Sequence, residues 1–421
     1  MGRGLAYGTI SPHNLLNVPA GRMGISPDDE AGFSRYLQRL GLPYASGDFV
    51  PRSMYSAYLE YALGEAIALG AARGIALEVR HATATDITPK ARGGYAIQLD
   101  SGATLDADVA VMALGNFDPK LPLAQPGLTW KEPGLYASAW DPRGLQVADA
   151  DADVLLVGSG LTAFDALLEL RHLGHRGRVT MLSRRGLLAK SHRAHESPPP
   201  QGVVDFNHLL SLTSARTMLR EMRTLAKTAH RNGHDWRDVL GGMRASTARL
   251  WKQLPEQERR RFLRHLAPYW DTHRHRASVP IGSAIHQELR AGTLELVAGR
   301  LGALESVGNA WRATIQPRGG HAHCLRDFTA VINCTGPSSD LHSARDPMIQ
   351  ALLGRGHLCQ DALRLGVQVD DQMQLLDSTG VVQTGLYYVG PLLKAGWWEA
   401  TAVPELRVHA RQLAGAISKR I

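Results

Sequence analysis

The sequence predicts an α/β fold built on parallel strands, and three observations carry that prediction. Val154, Leu155, Leu156 and Val157 form an unbroken apolar run that passes directly into a glycine turn, a helix and a second apolar strand at 179–182. Strand, turn, helix and strand within about 30 residues make a complete βαβ unit. Two further apolar strands, at 109–114 and 330–333, each lead to a glycine, Gly115 and Gly336. Finally, 421 residues with 44% hydrophobic and 20% charged content suit two or three globular domains and exclude disorder, collagen and a small disulfide scaffold.

In chain order, residues 1–50 are turn-rich, punctuated by Gly4, Gly8, Pro12, Pro19, Gly24 and Pro27 around one helical stretch near 29–40, as ligand-lining loops are. Residues 51–72 read as a helix, because Tyr55, Tyr58, Leu59, Ala62, Leu63, Ala66 and Ile67 recur at three- and four-residue spacing and Gly70 and Gly74 mark its end. Short β segments are expected at 76–79, 82–88, 95–99 and 104–105, leading into a buried strand at 109–115. Residues 116–126 hold three prolines and form a linker. After the βαβ unit, 207–268 is helical with arginine-rich faces, and strands return at 294–297, 311–315 and 330–333. A strand at 386–389, a loop at 390–401 and a helix at 403–417 complete the chain, with no repeat of solenoid period.

The chemistry begins at Gly158, Ser159, Gly160, Leu161, Thr162 and Ala163, a G-x-G-x-x-A motif placed between a buried strand and a helix. The first glycine permits the tight turn, the second lets backbone approach a pyrophosphate, and the small Ala163 allows close helix–strand packing. N–H groups at the helix start would then hold phosphate. The plainer reading is a structural glycine turn. At the end of the next strand an acidic residue would bond the adenosine ribose, whereas this chain has Ser183, Arg184 and Arg185, suited to a 2′-phosphate. NADPH is therefore expected over NADH, the alternative being a solvated basic turn.

Net charge is +8, from 47 Lys and Arg against 39 Asp and Glu, and it is localised. Between Arg184 and Arg276 stand 19 basic and 8 acidic residues, while the remainder is slightly acidic. This suggests one surface for an anionic ligand rather than a nucleic-acid coat, or else a solvated arginine-rich helical face. Cys324, Cys334 and Cys359 include no C-x-x-C pair, which excludes a disulfide framework, a thioredoxin-like centre and a cysteine-rich zinc site. No apolar run approaches the roughly 18 residues a bilayer span needs, and the residues after Met1 lack a signal-peptide core. A cytoplasmic protein without membrane or nucleic-acid partners is expected. His273 and His275 would face one way on a strand, but Arg274 and Arg276 beside them oppose a cation, so no metal is expected. Arg274, Arg276 and His273 are instead candidates for the NADPH phosphates or an anionic substrate.

The order of these units is that of two-dinucleotide flavoproteins. The stretches GRGLAYG at 2–8, HNLLNVPA at 13–20, FVPRSMY at 49–55, YWDTHRHR at 269–276 and GWWEATAVPE at 396–405 resemble the bacterial FAD/NAD(P)-binding family that includes FAD-dependent urate hydroxylase and aspartate N-monooxygenase. The resemblance spans essentially the whole chain. It implies two Rossmann-like dinucleotide-binding domains: an FAD domain of residues 1–150 and 335–421, and an inserted NAD(P) domain of 151–334 with a helical insert at about 191–277. It implies that Asn17, Val18 and Arg52 lie along FAD, with Gly115 and Gly336 at the strand ends, and that Gly390 and Trp398 approach the flavin ring. Trp397 and Trp398 also suit plain core packing. The negative charge of a reduced flavin would meet the start of the helix near Val403.

The implied chemistry is NADPH reducing FAD by hydride transfer, O2 adding to the reduced flavin, and the flavin hydroperoxide hydroxylating a small polar, or anionic, substrate. No residue is assigned a catalytic role. The rival readings are an NADPH oxidase or reductase without oxygen insertion, and a nucleotide-binding sensor that holds a partner through the helical insert. In the resembled family the stretch at 2–8 follows a strand–glycine-turn–helix–strand unit that cradles the FAD pyrophosphate, and nothing before Asp153 fits that unit. The expectation is thus that the chain lacks the first βαβ of its FAD domain and holds FAD weakly, with its NADPH unit intact.

Overall fold

The computed structural model describes residues 4–9, 11–147, 149–194, 206–320 and 322–420, so Gly2 and Arg3 of the first motif and 195–205 of the expected insert lie outside it. The chain opens with α1 (Gly4–Tyr7), α2 (Gly32–Arg39) and α3 (Arg52–Ala72). Pro51, extended at ψ 139°, sets the start of α3 at the following residue. Only the first half of α3 is buried, where Tyr55 and Tyr58 pack with Phe33, Leu37 and Leu16. Phe33 meets Tyr55 edge-on at 5.1 Å between centroids, a favourable arrangement of ring quadrupoles.

Strands β1 (Ala84–Pro89), β2 (Tyr95–Leu99) and β3 (Thr104–Ala107) form an antiparallel meander. The segment expected as a strand at 76–79 is in none, and its Leu77 and Val79 are exposed. An alternation of apolar and polar side chains there finds no partner edge among the described residues. The buried strand expected at 109–115 is reduced to β4 (Ala110–Met112), an edge strand whose Val111 is 42% exposed. Its apolar sequence predicts a buried strand, but it is paired on one side alone among the described residues.

The larger sheet is built from β5 (Leu135–Tyr136), followed by α4 (Pro142–Leu145), then β6 (Val154–Val157), α5 (Leu161–His172) and β7 (Val179–Ser183). A helical stretch follows: α6 (Ala215–Arg231), α7 (Trp236–Gly242), α8 (Thr247–Gln253), α9 (Glu256–His265), α10 (Ala267–Arg274) and α11 (Val279–Ala291). The chain returns to the sheet through β8 (Leu294–Val307), β9 (Ala310–Pro317), β10 (Cys324–Phe328) and β11 (Ala330–Asn333). Strand order is β10-β9-β8-β7-β6-β11-β5, parallel from β8 to β5 and antiparallel at β9 and β10.

Successive side chains of β6 point to opposite faces, and two cores result. Val154 and Leu156 meet Phe164, Leu167 and Leu170 of α5 and Ile281 and Ile285 of α11. Leu155 and Val157 meet Trp130, Trp311 and Phe328. Strand β10 escaped sequence reading because its Cys324, Leu325 and Asp327 are exposed; long-range pairing with β9 forms it. His273 and His275 lie at the end of helix α10, so the strand alternation considered for them does not arise.

The third sheet, β12 (Gln374–Leu376), β13 (Val382–Tyr388) and β4, follows α12 (Pro347–Gly354) and precedes α13 (Val403–Ser418). Parallel pairing of Leu386 to Tyr388 with Ala110 to Met112 joins distant parts of the chain. The chain therefore leaves this sheet after β4, builds the larger sheet, and comes back after β11. Because β5 pairs with β11, the larger sheet already takes in residues before the boundary expected at 150/151. Among the described residues no helix is long and apolar enough to cross a membrane.

Candidate functional site

At the end of β6 the backbone turns on Gly158, at φ +129°, where a Cβ would come within 2.4 Å of the Cys334 carbonyl oxygen. Only glycine tolerates both the conformation and that approach of the parallel neighbour. Gly160 is the N-cap of α5 in extended conformation and supplies no capping side chain. A Cβ there would meet nothing within 4 Å. The opening N–H groups of a helix lack intrahelical acceptors, so those at Leu161 and Thr162 border open space of the kind a pyrophosphate fills. Ala163 is fully buried against the sheet. Ser159 Oγ lies 2.8 Å from Ser183 Oγ and donates to the Leu187 carbonyl at 2.7 Å, tying the glycine turn to the end of β7.

Beyond β7 a cleft of about 1240 Å³ opens, lined by Arg184, Arg185, Arg260, Arg261, Arg264, His265, Arg300 and Arg318 among others. Arg260 and Arg261 are answered by Glu256 and Glu258 of their own helix. Arg185 donates to the Arg264 carbonyl at 2.7 Å, and its guanidinium lies 5.3 Å from the centre of the Tyr269 ring. It is thereby fixed to the end of α9, where helix carbonyls favour a cation. Arg184, Arg264, Arg300 and Arg318 have no carboxylate at ion-pair distance among the described residues. The basic segment of the sequence pointed to α9, but nothing in it marked Arg300 and Arg318, which reach the cleft through the β8–β9 pairing.

The crossovers between the sheets meet at Asn333, which is fully buried. Its Nδ2 donates to the carbonyls of Lys120 and Ala137 at 3.1 and 3.0 Å, and its Oδ1 accepts from Thr335 N–H and Oγ1. Phe117 and Ser338 bridge alongside. Gly115 (φ +67°) and Gly336 (φ +83°) flank this junction with open space where a Cβ would stand. Gly390, at φ +142°, follows β13, and a Cβ there would approach Tyr388 Oη at 2.8 Å. Since β13 runs parallel to β4, Gly390 and Gly115 follow the same end of that sheet.

Other expected site residues are committed within the protein. Arg52 pairs with Asp165 of α5 at 2.8 Å and donates to the Leu15 carbonyl at 3.1 Å. The Asn17 carbonyl lies 3.0 Å from His192 Nε2, and Val18 packs on the α2–α3 cluster. Arg274, expected at a phosphate or substrate, instead meets the buried Glu399 at 2.8 Å and Glu405 at 3.5 Å, so its charge is neutralised internally. His273 Nδ1 lies 2.8 Å from the Tyr269 carbonyl and its ring stands edge-on to Trp236. Arg276 also lies within this region and is half-buried. Trp398, one candidate for the flavin ring, is a core residue: it is buried, stacked on Trp251 at 4.7 Å and edge-on to Phe262 at 5.2 Å. Burial pushes the His275 imidazole below its usual pKa, against the nearby charges of Glu399 and Asp271. Among the described residues no group of three or more His, Cys, Asp or Glu could hold a metal ion.

Residues 1–117 match the family model described as FAD-NAD(P)-binding. No curated protein matches the sequence. Among solved structures, the ornithine N-hydroxylase of Kutzneria sp. 744, determined with reduced FAD, NADP+ and L-ornithine, is similar with a TM-score of 0.64 at 13% identity, over 100% of this chain and 90% of that one. The ornithine hydroxylase of Pseudomonas aeruginosa gives 0.60 at 12% identity, covering 99% and 88%. The L-lysine 6-monooxygenase of Pseudomonas syringae gives 0.59 at 15% identity, covering 96% and 87%. At these identities the likeness is one of fold: the chain shares the α/β architecture of these three structures.

Proposed function

We propose that this chain is an FAD-dependent NADPH oxidoreductase of the monooxygenase class that acts on a small polar substrate. The observation that carries the reading is the bare helix start at Gly160 beside the basic cleft at the end of β7, which suits a pyrophosphate and a 2′-phosphate together. N–H groups at Gly160, Leu161 and Thr162 hold the NADPH pyrophosphate, while Ser183 and Arg184 face the adenosine end. The loop at 13–20 and the open backbone at Gly115 and Gly336 would hold FAD, with Gly390 toward its ring. In this reading the NAD(P) domain comprises 151–334 together with β5, and the FAD domain the remainder of 1–150 with 335–421.

When bound, NADPH and FAD supply hydride transfer and oxygen chemistry. The protein's share is to orient the two groups and exclude water. Gly158 keeps the turn tight, Ser159 locks the turn to β7, and the Asn333 junction fixes the loops through which the two sheets meet. A small polar substrate agrees with the ornithine and lysine named for the similar structures. A cytoplasmic location without membrane or nucleic-acid partners goes with this reading.

The test follows NADPH oxidation and peroxide release with purified, FAD-supplemented protein across small amino acids, amines and organic anions. A substrate that speeds NADPH oxidation while lowering the peroxide yield supports the monooxygenase. Return of every electron as peroxide with all of them would reduce the assignment to an oxidase, and absence of flavin binding and NADPH turnover in folded protein would overturn it.

A further inference from the structure

The cleft beside β7 has two walls, and only one belongs to the glycine fingerprint. Arg184 stands on the near wall, directly after Ser183. The far wall is the turn that leaves β9, with Pro317, Arg318, Gly319 and Gly320. Its position is set by backbone pairing, not by side-chain chance. Ser183 pairs with Ala298 of β8, and the Ala298 carbonyl accepts from Arg318 N–H at 2.8 Å. Arg318 is thus held one strand away from the end of β7.

The cations here are not equivalent. Arg185 is engaged with the Arg264 carbonyl and the Tyr269 ring, and Arg260 and Arg261 with their glutamates. The nearby charges of Arg185 and Arg318 together hold the Tyr269 phenol below its usual pKa. Arg185 and Arg318 thus line one cleft, and among the described residues neither has a carboxylate at ion-pair distance. Such an arrangement is relieved by an anion, and a phosphate monoester accepts from guanidinium with matching geometry.

Resting on the NADPH reading above, we propose that Arg318 determines the preference for the 2′-phosphorylated dinucleotide, closing on the phosphate from the wall opposite Arg184. A fingerprint at the end of a second strand would then be necessary but insufficient for NADPH selection in this chain.

The experiment measures binding of 2′,5′-ADP and 5′-AMP to the full chain by calorimetry, in the wild type and in Arg318→Ala, Arg318→Lys, Arg300→Ala and Arg184→Ala. The expected result is a wild-type preference for 2′,5′-ADP that falls by roughly tenfold in Arg318→Ala, with 5′-AMP affinity unchanged as the internal check on folding. Arg318→Lys recovers part of it, and Arg300→Ala keeps most. If the wild type binds both nucleotides equally, the NADPH reading falls and this proposal with it. If the wild type discriminates, Arg184→Ala loses discrimination and Arg318→Ala retains it, the NADPH reading stands and the assignment of Arg318 is wrong.

Discussion

The Arg52 guanidinium meets the Asp165 carboxylate at 2.8 Å, with both side chains nearly sealed from water. Arg52 opens α3 and Asp165 belongs to the helix that follows the glycine turn, so this pair couples the amino-terminal lobe to the larger sheet. Ser11 reinforces the same seam by donating to Glu169. A buried charge that loses its partner costs about 3–5 kcal/mol, whereas an apolar replacement of the whole pair is often neutral. Arg52→Ala should therefore lower the thermal midpoint by several degrees, and Arg52→Met combined with Asp165→Leu should restore most of it. An Arg52→Ala protein as stable as the wild type would show that the seam is held elsewhere.

The same carboxylate predicts a pH dependence. Burial raises the Asp165 pKa to about 6, with Arg52 opposing only in part. The folded state thus binds this proton more tightly than the unfolded chain, so the stabilisation from protonation is complete below about pH 4 and is lost as pH rises to about 6. Two units correspond to about 3 kcal/mol. Asp165→Asn carries no titrating group but leaves Arg52 without its partner, so whatever its stability at pH 4, it should gain about 3 kcal/mol relative to the wild type by pH 7 and change no further above it. Parallel urea titrations at pH 4 and pH 7 read the difference; equal gaps at the two pH values would contradict it.

The two glycines of the fingerprint should fail differently. Gly158→Ala adds a Cβ that collides with the Cys334 carbonyl at a φ of +129°, so it should destabilise the fold by several kcal/mol. Gly160→Ala meets no atom within 4 Å and keeps an ordinary φ of −87°. It should fold like the wild type yet lose NADPH affinity at least tenfold, roughly 1.4 kcal/mol, because its methyl group occupies the space before the helix start. Thermal melting with NADPH titration separates the cases. Tight NADPH binding by folded Gly160→Ala would mean that the pyrophosphate sits elsewhere.

This contrast also explains what the sequence could disclose. The turn from β6 to α5 is legible because its requirements are local: a tight turn, a bare helix start and a small residue at Ala163 within six positions. The arginine cleft is only half legible, since Arg184 follows a recognisable strand while Arg318 arrives by pairing of β8 with β9. Trp398 was ambiguous for a similar reason. A tryptophan in a glycine-bounded loop suits either a ligand or a core, and Trp251 and Phe262, which enclose it, come from helices more than a hundred residues earlier. The exposure of Val111 is not legible because an apolar run does not say whether a strand is central or at an edge.

Arg274 gives the sharpest separation between structural and ligand-binding roles. Its Nε lies 2.8 Å from Glu399, whose other oxygen accepts from Trp270 Nε1 at 2.8 Å, and its Nη2 approaches Glu405, which is paired with Arg244. These groups join α10 to the loop before α13 and to α13 itself. Arg274→Ala strands a carboxylate at Glu399, which is 5% exposed, so stability should fall by about 3–5 kcal/mol. Glu399→Gln in the same chain removes that charge and should recover much of the loss. The NADPH KM of Arg274→Ala, measured at a temperature where it remains folded, should stay within about twofold of the wild type, since the guanidinium is already neutralised by two carboxylates. A tenfold rise in KM with an unchanged melting point would instead place Arg274 on the ligand, and the network around Glu399 would then have to open when NADPH or substrate binds.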